Sequence, residues 1–256
     1  MNLDRIKTYG PLLLRFLGIA AVIGGVLVLG LLGWQWQASV KVERIAVTGV
    51  THAPADTVRH LARVDSGTVM ETIDATLVAD RVSRYPWIER ADVTKQRARR
   101  TLHVAVTERV PAALAVDGQG DPAYYLDRHG YAMPLPDSAS YDVPLVRGLD
   151  AEYHPVRQLA PPSLRDVFSA LDKTDTDALV AELAVQPDSS VRLVTAPVGE
   201  HGVLPVKLGT GRIGPKLRHL RAFTRQVLAT QSDTRIAEID LRFDGQIVTR
   251  KHPLDG

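Results

Sequence analysis

The 256-residue chain contains no cysteine. A disulfide, a thiolate nucleophile and a cysteine-ligated zinc site are therefore excluded. The same absence suits a domain in an oxidising space, without requiring one. An excess of one charge is lacking too: 31 basic residues stand against 29 acidic ones, a formal net charge of +2. A nucleic-acid binder needs a concentrated basic face for phosphate contacts, so no such partner is expected. Catalytic motifs are equally scarce. The eight histidines form no H-E-x-x-H and no i, i+4 pair, and no G-x-S-x-G, S-x-x-K or P-loop occurs. No catalytic, cofactor-binding or metal-binding residue is assigned, no small-molecule substrate is expected, and the chain reads as a non-enzyme.

What the sequence does have is one long apolar run. From Phe16 to Trp34, FLGIAAVIGGVLVLGLLGW, there are 19 residues without a charge. At about 1.5 Å per residue a helix of that length approaches the ~30 Å hydrocarbon thickness of a bilayer. Leu12, Leu13 and Leu14 extend it, Arg15 can snorkel to the interface, and Trp34 and Trp36 sit at the far end, where amphipathic rings prefer the headgroup level. A cleaved signal peptide has a shorter core, and a cut after Ala38 would leave Trp36 at the −3 position. A buried soluble helix would carry a polar stripe, and this run has none. The expectation is a tail over residues 1–11 and a transmembrane helix over 12–36. Arg5, Lys7 and Arg15 outnumber Lys41 and Arg44, which puts the tail in the cytoplasm and the rest beyond the membrane. Ala20/Gly24 and Ala21/Gly25 are small-xxx-small pairs, suited to a partner helix or simply tolerated.

The outer part reads as α+β. A strand is expected over Val40–Val47, ended by Gly49. Pro54 opens a helix carrying Val58 and Leu61. A second helix carries Met70, Ile73 and Leu77 and is stopped by Tyr85-Pro86. Strands follow over Ala91–Gln96 and Thr101–Glu108, the latter alternating Leu102, Val104 and Val106 against His103, Ala105 and Thr107. This β-α-α-β-β order makes a compact module over residues 40–110. Beyond Pro111 the pattern changes. Tyr124-Tyr125-Leu126 and Tyr131-Ala132-Met133 flank a hairpin turn. A proline-rich passage leads to a helix with Ser163 as N-cap and Asp166 three residues on, its face lined by Leu164, Val167, Phe168 and Leu171. Strands at 180–186, 190–196 and 203–208 come next, then a helix from Pro215 to about Thr230. A strand over Ile236–Phe243 turns at Asp244-Gly245 and returns over Gln246–Arg250. Residues 111–252 thus form a mainly antiparallel β domain with two helices. Its last strand is either an edge or a site for pairing.

Two patterns bear on chemistry. Gly209-Thr210-Gly211-Arg212-Ile213-Gly214 has the form of a dinucleotide-binding loop. No doubly wound series surrounds it, the neighbouring strands read as antiparallel, and a nicotinamide cofactor is not expected outside the cytoplasm. The expectation is a turn entering a helix. Lys216, Arg218, Arg221 and Arg225 are spaced to share one helix face opposite Leu217, Leu220 and Val227. Such a face is either solvated or meets an acidic partner.

Taken together, these segments resemble the bacterial FtsQ/DivIB cell-division family over nearly the whole chain. The most specific stretches are Tyr85-Pro86-Trp87-Ile88-Glu89-Arg90-Ala91 and Thr101 to Ala112, similar to the family's "YPWI…A" and "TL.V.V.ER.P.A" segments in its POTRA domain. Tyr125 to Gly130 is similar to its "LD..G" hairpin, and Ile239 to Gly245 to its "IDLRY..G" strand. Ala98-Arg99-Arg100 stands where the family commonly has Trp-Pro, and Arg250 where an aromatic is frequent. The resemblance implies a non-catalytic divisome assembly protein of the cell inner membrane, placed at the division septum and linking early and late division proteins. It implies a POTRA domain that helps recruitment, and a last strand with an adjoining helix that receives FtsB, itself paired with FtsL. Carried onto this chain, the contact residues are Phe243, Gln246, Val248, Thr249 and Arg250 on the strand, with Arg218, Arg221 and Arg225 as rim charges on the helix. Ordinary sheet or surface duty is the competing role of each, and Phe243 also shares the alternation face of Leu241. Two other readings compete: another POTRA-bearing envelope protein that binds polypeptides, and a membrane-anchored cell-wall hydrolase.

Overall fold

The computed structural model describes residues 3–38, 40–136, 139–149, 151–228 and 236–251 and, within the first helix, the side chains of residues 16–34. Residues 1–2 of the expected tail, the side chains of Arg5, Lys7, Leu12, Leu13, Leu14, Arg15 and Trp36, the helix end at Thr230 and residue 252 lie outside the described residues. Helix α1, Leu3–Ala38, contains the 19-residue span Phe16–Trp34, whose mean hydropathy is 2.5. It is long and apolar enough to cross a membrane, and its large apolar side chains are exposed.

The chain divides into two compact units. One holds residues up to 82 together with 90–107, the other 83–89 together with 108 onward. In the first, β1 (Arg44–Thr48) is followed by α2 (Ala55–Ala62), α3 (Ala75–Ser83), β2 (Ile88–Gln96) and β3 (Thr101–Glu108). The sheet order is β1-β3-β2, with β1 parallel to β3 in the register Ile45 with Leu102 and Val47 with Val104. Val58 and Ala62 of α2, Val78 and Val82 of α3, and Leu102 and Val104 of β3 are buried. The strand expected from Val40 begins later, because residues 40–42 pair elsewhere. Val42 donates to Thr68 O, and Val40 and Val42 accept from Met70 and Gly67. The single helix expected through Met70, Ile73 and Leu77 is two elements: a 3-10 turn at Met70–Thr72, then α3. Asp74 divides them, its carboxylate accepting the Thr76 and Leu77 N–H groups of the new first turn. Gly49 ends β1 as expected, with a structural reason. Its φ is +82°, and a Cβ there would sit 2.0 Å from the Val106 carbonyl oxygen.

The second unit contains β4 (Pro111–Val116), β5 (Pro122–Asp127), β6 (Ala132–Met133), β7 (Leu145–Arg147), α4 (Pro162–Thr174), β8 (Val180–Val185), β9 (Val191–Thr195), β10 (Pro205–Gly209), α5 (Ile213–Phe223), β11 (Ile236–Asp240) and β12 (Val248–Lys251). They make one nine-stranded sheet in the order β12-β11-β10-β9-β8-β7-β4-β5-β6. Most neighbours are antiparallel, while β10–β11, β4–β7 and β7–β8 run parallel. The core gathers Leu164, Val167, Phe168 and Leu171 of α4, Leu217 and Leu220 of α5, and Leu183, Leu193, Val206 and Ile239 of the sheet. Two expectations change. Ser163 is not the N-cap of α4; Pro161 is, with extended backbone and no side-chain cap, so Ser163 lies inside the first turn. The strand expected over Ile236–Phe243 stops at Asp240, which leaves Phe243 outside it and 52% exposed rather than in the core.

The segment Ser83–Glu89 belongs to this second unit. Trp87 packs there with Tyr125 and Met133, its ring centroid 6.0 Å from that of Tyr141, and Tyr141 meets Tyr125 edge-on at 5.2 Å. Aromatic pairs at such spacings add to plain burial. Burial here also pushes the Tyr141 hydroxyl above its ordinary pKa.

Candidate functional site

The two margins of the large sheet are finished differently. At the β6 margin, Tyr131 bridges to Gln158, and Leu159 donates to Gly130 O, so the chain's own backbone meets the residues that lead into β6. At the other margin β12 pairs with β11 on one side and, among the described residues, with nothing on the other. An uncovered edge presents a row of free main-chain donors and acceptors to any extended segment. The register is Ile239 with Thr249 and Asp240 with Val248. Val248 is 42% exposed, Thr249 half-buried and Arg250 exposed. The side chains of this margin are sparsely tied. The Arg250 guanidinium lies 3.8 Å from Glu238, a carboxylate already held by Lys207 at 2.7 Å.

Phe243 and Gln246 are in the link between β11 and β12, not in the strand itself. Both are exposed, and the Gln246 N–H donates to Phe243 O at 3.3 Å. The link opens with Arg242 folded back on Asp240, Nη2 to Oδ2 being 2.6 Å. That guanidinium holds the Asp240 carboxyl below its ordinary pKa of 3.8. A cavity of about 280 Å³ lies against the link, lined by Arg212, Pro215, Lys216 and His219 on one side and by Leu241 and Phe243 to Gln246 on the other.

The basic residues of α5 and the turn after it part company. Arg218 and Arg225 are exposed, as a rim charge requires. Arg221 is committed to the fold, donating to Thr174 O at 2.9 Å and lying 3.6 Å from Asp175. Lys216, expected on the solvated face, is 7% exposed, and its ammonium donates to the carbonyls of Leu208 at 2.8 Å and Thr210 at 2.9 Å. Its burial was readable from spacing: Lys216 is three residues after Ile213 and four before Leu220, both buried.

The glycine-rich turn has a different setting from the one expected. Because β10 and β11 are parallel neighbours joined through α5, the turn does open a β-α-β crossover. Gly209, Gly211 and Arg212 all take positive φ, and the Leu208 and Thr210 carbonyls around it face the Lys216 ammonium. A phosphate cradle needs main-chain N–H groups turned inward, whereas here carbonyls receive a cation. Among the described residues no group of three His, Asp or Glu could hold a metal ion.

Comparison with known proteins bears on both units. Residues 40–109 match the FtsQ-type POTRA domain, and residues 111–250 match the FtsQ/DivIB C-terminal related domain. The chain is similar to the cell division protein FtsQ of Salinibacter ruber, with 56% identity over 259 residues and all of both chains covered. It is 40% identical over 238 residues to the cell division protein FtsQ of Rhodothermus marinus, covering 91% of this chain and 87% of that one. A third relative, the cell division protein FtsQ of a Geobacter species, is 28% identical over 259 residues, covering 95% and 90%.

Proposed function

Since the chain belongs to the FtsQ/DivIB family of cell-division proteins, we propose that it is a non-catalytic divisome protein that recruits the FtsB/FtsL pair by strand addition at β12. The observation that carries this reading is the asymmetry of the sheet: at one margin the chain's own backbone meets Gly130 and Tyr131 beside β6, and at the other β12 is open among the described residues. An added strand gains main-chain hydrogen bonds on the open side, and the exposed Phe243, Gln246, Val248 and Arg250, with the half-buried Thr249, supply side-chain contacts. Arg218 and Arg225 would act as rim charges, which steer encounter more than they hold. Arg221 would contribute less than its sequence position suggests, because Thr174 and Asp175 already engage it.

The placement follows from the same reading. The helix Phe16–Trp34 anchors the chain in the inner membrane, with the tail cytoplasmic and the two domains, 40–110 and 111–252, beyond the bilayer at the septum. There the first domain helps recruitment and the second joins early to late division proteins. A fluorescent fusion to the tail, followed in dividing cells with depletion of the native protein, tests the assignment. Mid-cell fluorescence and filamentation on depletion are expected. Uniform envelope fluorescence with normal division would remove it.

A further inference from the structure

Among the described residues Lys216 is the only buried lysine, and its position is unusual. Burial disfavours an ammonium, and lowers its pKa here, unless acceptors and opposite charges replace water. The acceptors are two main-chain carbonyls, Leu208 O and Thr210 O, at the end of β10 and the start of the glycine-rich turn. The opposite charges that favour the ammonium come from Asp240 and Asp244. Asp240 is the last residue of β11, and Asp244 is in the link to β12. The ammonium therefore ties the start of α5 to the end of β10, and Lys216 lines the cavity whose other wall is Leu241 and Phe243 to Gln246, the link that delivers the edge strand.

The link is held at its two ends, by Leu241 in the core with Arg242 folded on Asp240, and by Ile247 packed against the core. The exposed residues 243–246 between them have few tethers. The Leu241 N–H donates to Lys207 O, the Gln246 N–H to Phe243 O, and Arg212 reaches Asp244 at 3.4 Å through a pair that is about 70% exposed on both sides. Exposed pairs of this kind stabilise little. We propose that Lys216 is a positioning residue for partner capture: it sets the course of residues 241–247 and so the presentation of β12, without itself touching the incoming strand. This rests on the strand-addition reading above.

The test uses the full chain in nanodiscs, with K216M, K216R and a core control, L171A, measured well below their melting temperatures. Methionine keeps the aliphatic stem and removes the donors and the charge; arginine restores both. In K216M, amide exchange over 208–212 and 241–248 is expected to speed up about tenfold, and affinity for purified FtsB/FtsL to fall about tenfold, the scale of one charge-assisted contact. K216R should recover most of both effects. L171A should melt earlier yet keep its affinity and its exchange over 241–248. If K216M and L171A behave alike, or if exchange over 241–248 is unchanged in K216M, the proposal is overturned. Should the unmodified chain not bind FtsB/FtsL, the functional reading falls, and the exchange comparison alone decides the role of Lys216.

Discussion

Arg109 and Asp127 form a buried ion pair, Nη1 to Oδ2 at 2.5 Å, with side chains only 10% and 3% exposed. Asp127 also accepts the N–H groups of His129 and Tyr131, and the Arg109 guanidinium lies 4.3 Å from the Tyr131 ring centroid. The pair thereby fixes the β5–β6 turn to the start of β4. Removing one partner of such a pair strands the other charge, at about 3–5 kcal/mol. D127A and R109M should each lower the melting temperature by roughly 10 °C, read by circular dichroism. A change of a degree or less would mean that the pair is solvated in solution.

Proline in the edge strand tests the strand-addition contact. V248P cannot supply a ladder N–H at that position. Co-purification of FtsB/FtsL with the full chain should drop at least about tenfold, while the melting temperature changes by only a few degrees, since β12 is terminal. Full retention of the pair would move the contact off β12.

A third expectation concerns acid. The Asp240 carboxyl is depressed by its hydrogen bond from Arg242, so its contribution to stability is complete above the unfolded carboxylate range of about 4. It is lost as pH falls through the lower folded value. Urea unfolding of the unmodified chain should therefore weaken more steeply between pH 5 and pH 3 than that of D240N. Parallel pH profiles would show that the Asp240–Arg242 contact contributes nothing in solution.

Trp87 supplies a fourth. It is 4% exposed and packs with Tyr125 and Met133 of the second unit. W87A should cost about 3–5 kcal/mol, most of it from the cavity left behind. Near-ultraviolet circular dichroism should lose the aromatic signal of that cluster. A variant as stable as the original would show that Trp87 is dispensable to the second core.

The sequence made some of this plain and hid the rest for physical reasons. The apolar span Phe16–Trp34 was legible because its length has few other uses. Strand β3 was legible because Leu102, Val104 and Val106 alternate cleanly and all are buried. Strands β4 and β7 left no such trace: one begins with Pro111, which reads as a breaker, and the other has three residues inside a proline-rich passage. The parallel pairing of β10 with β11 was hidden because alternation along a strand does not reveal its partner's direction. At the candidate site, the alternation of Ile239 and Leu241 suggested that Phe243 continued the strand, but the chain leaves the ladder at Asp240. The charge of Lys216 points to a solvated face, whereas its spacing from Ile213 and Leu220 points inward, and the spacing prevails.

A sheet met by its own chain beside β6, and open at β12 among the described residues, offers β12 as the place for an added strand. Whatever docks along β12 inherits the role of outermost ribbon, and over its four described residues, Val248–Lys251, the strand aligns a short stretch of guest backbone. Growth into a fibre would need a long, flat template that this margin does not provide. On the strand-addition reading proposed above, that favours a terminating connector over an open-ended polymer.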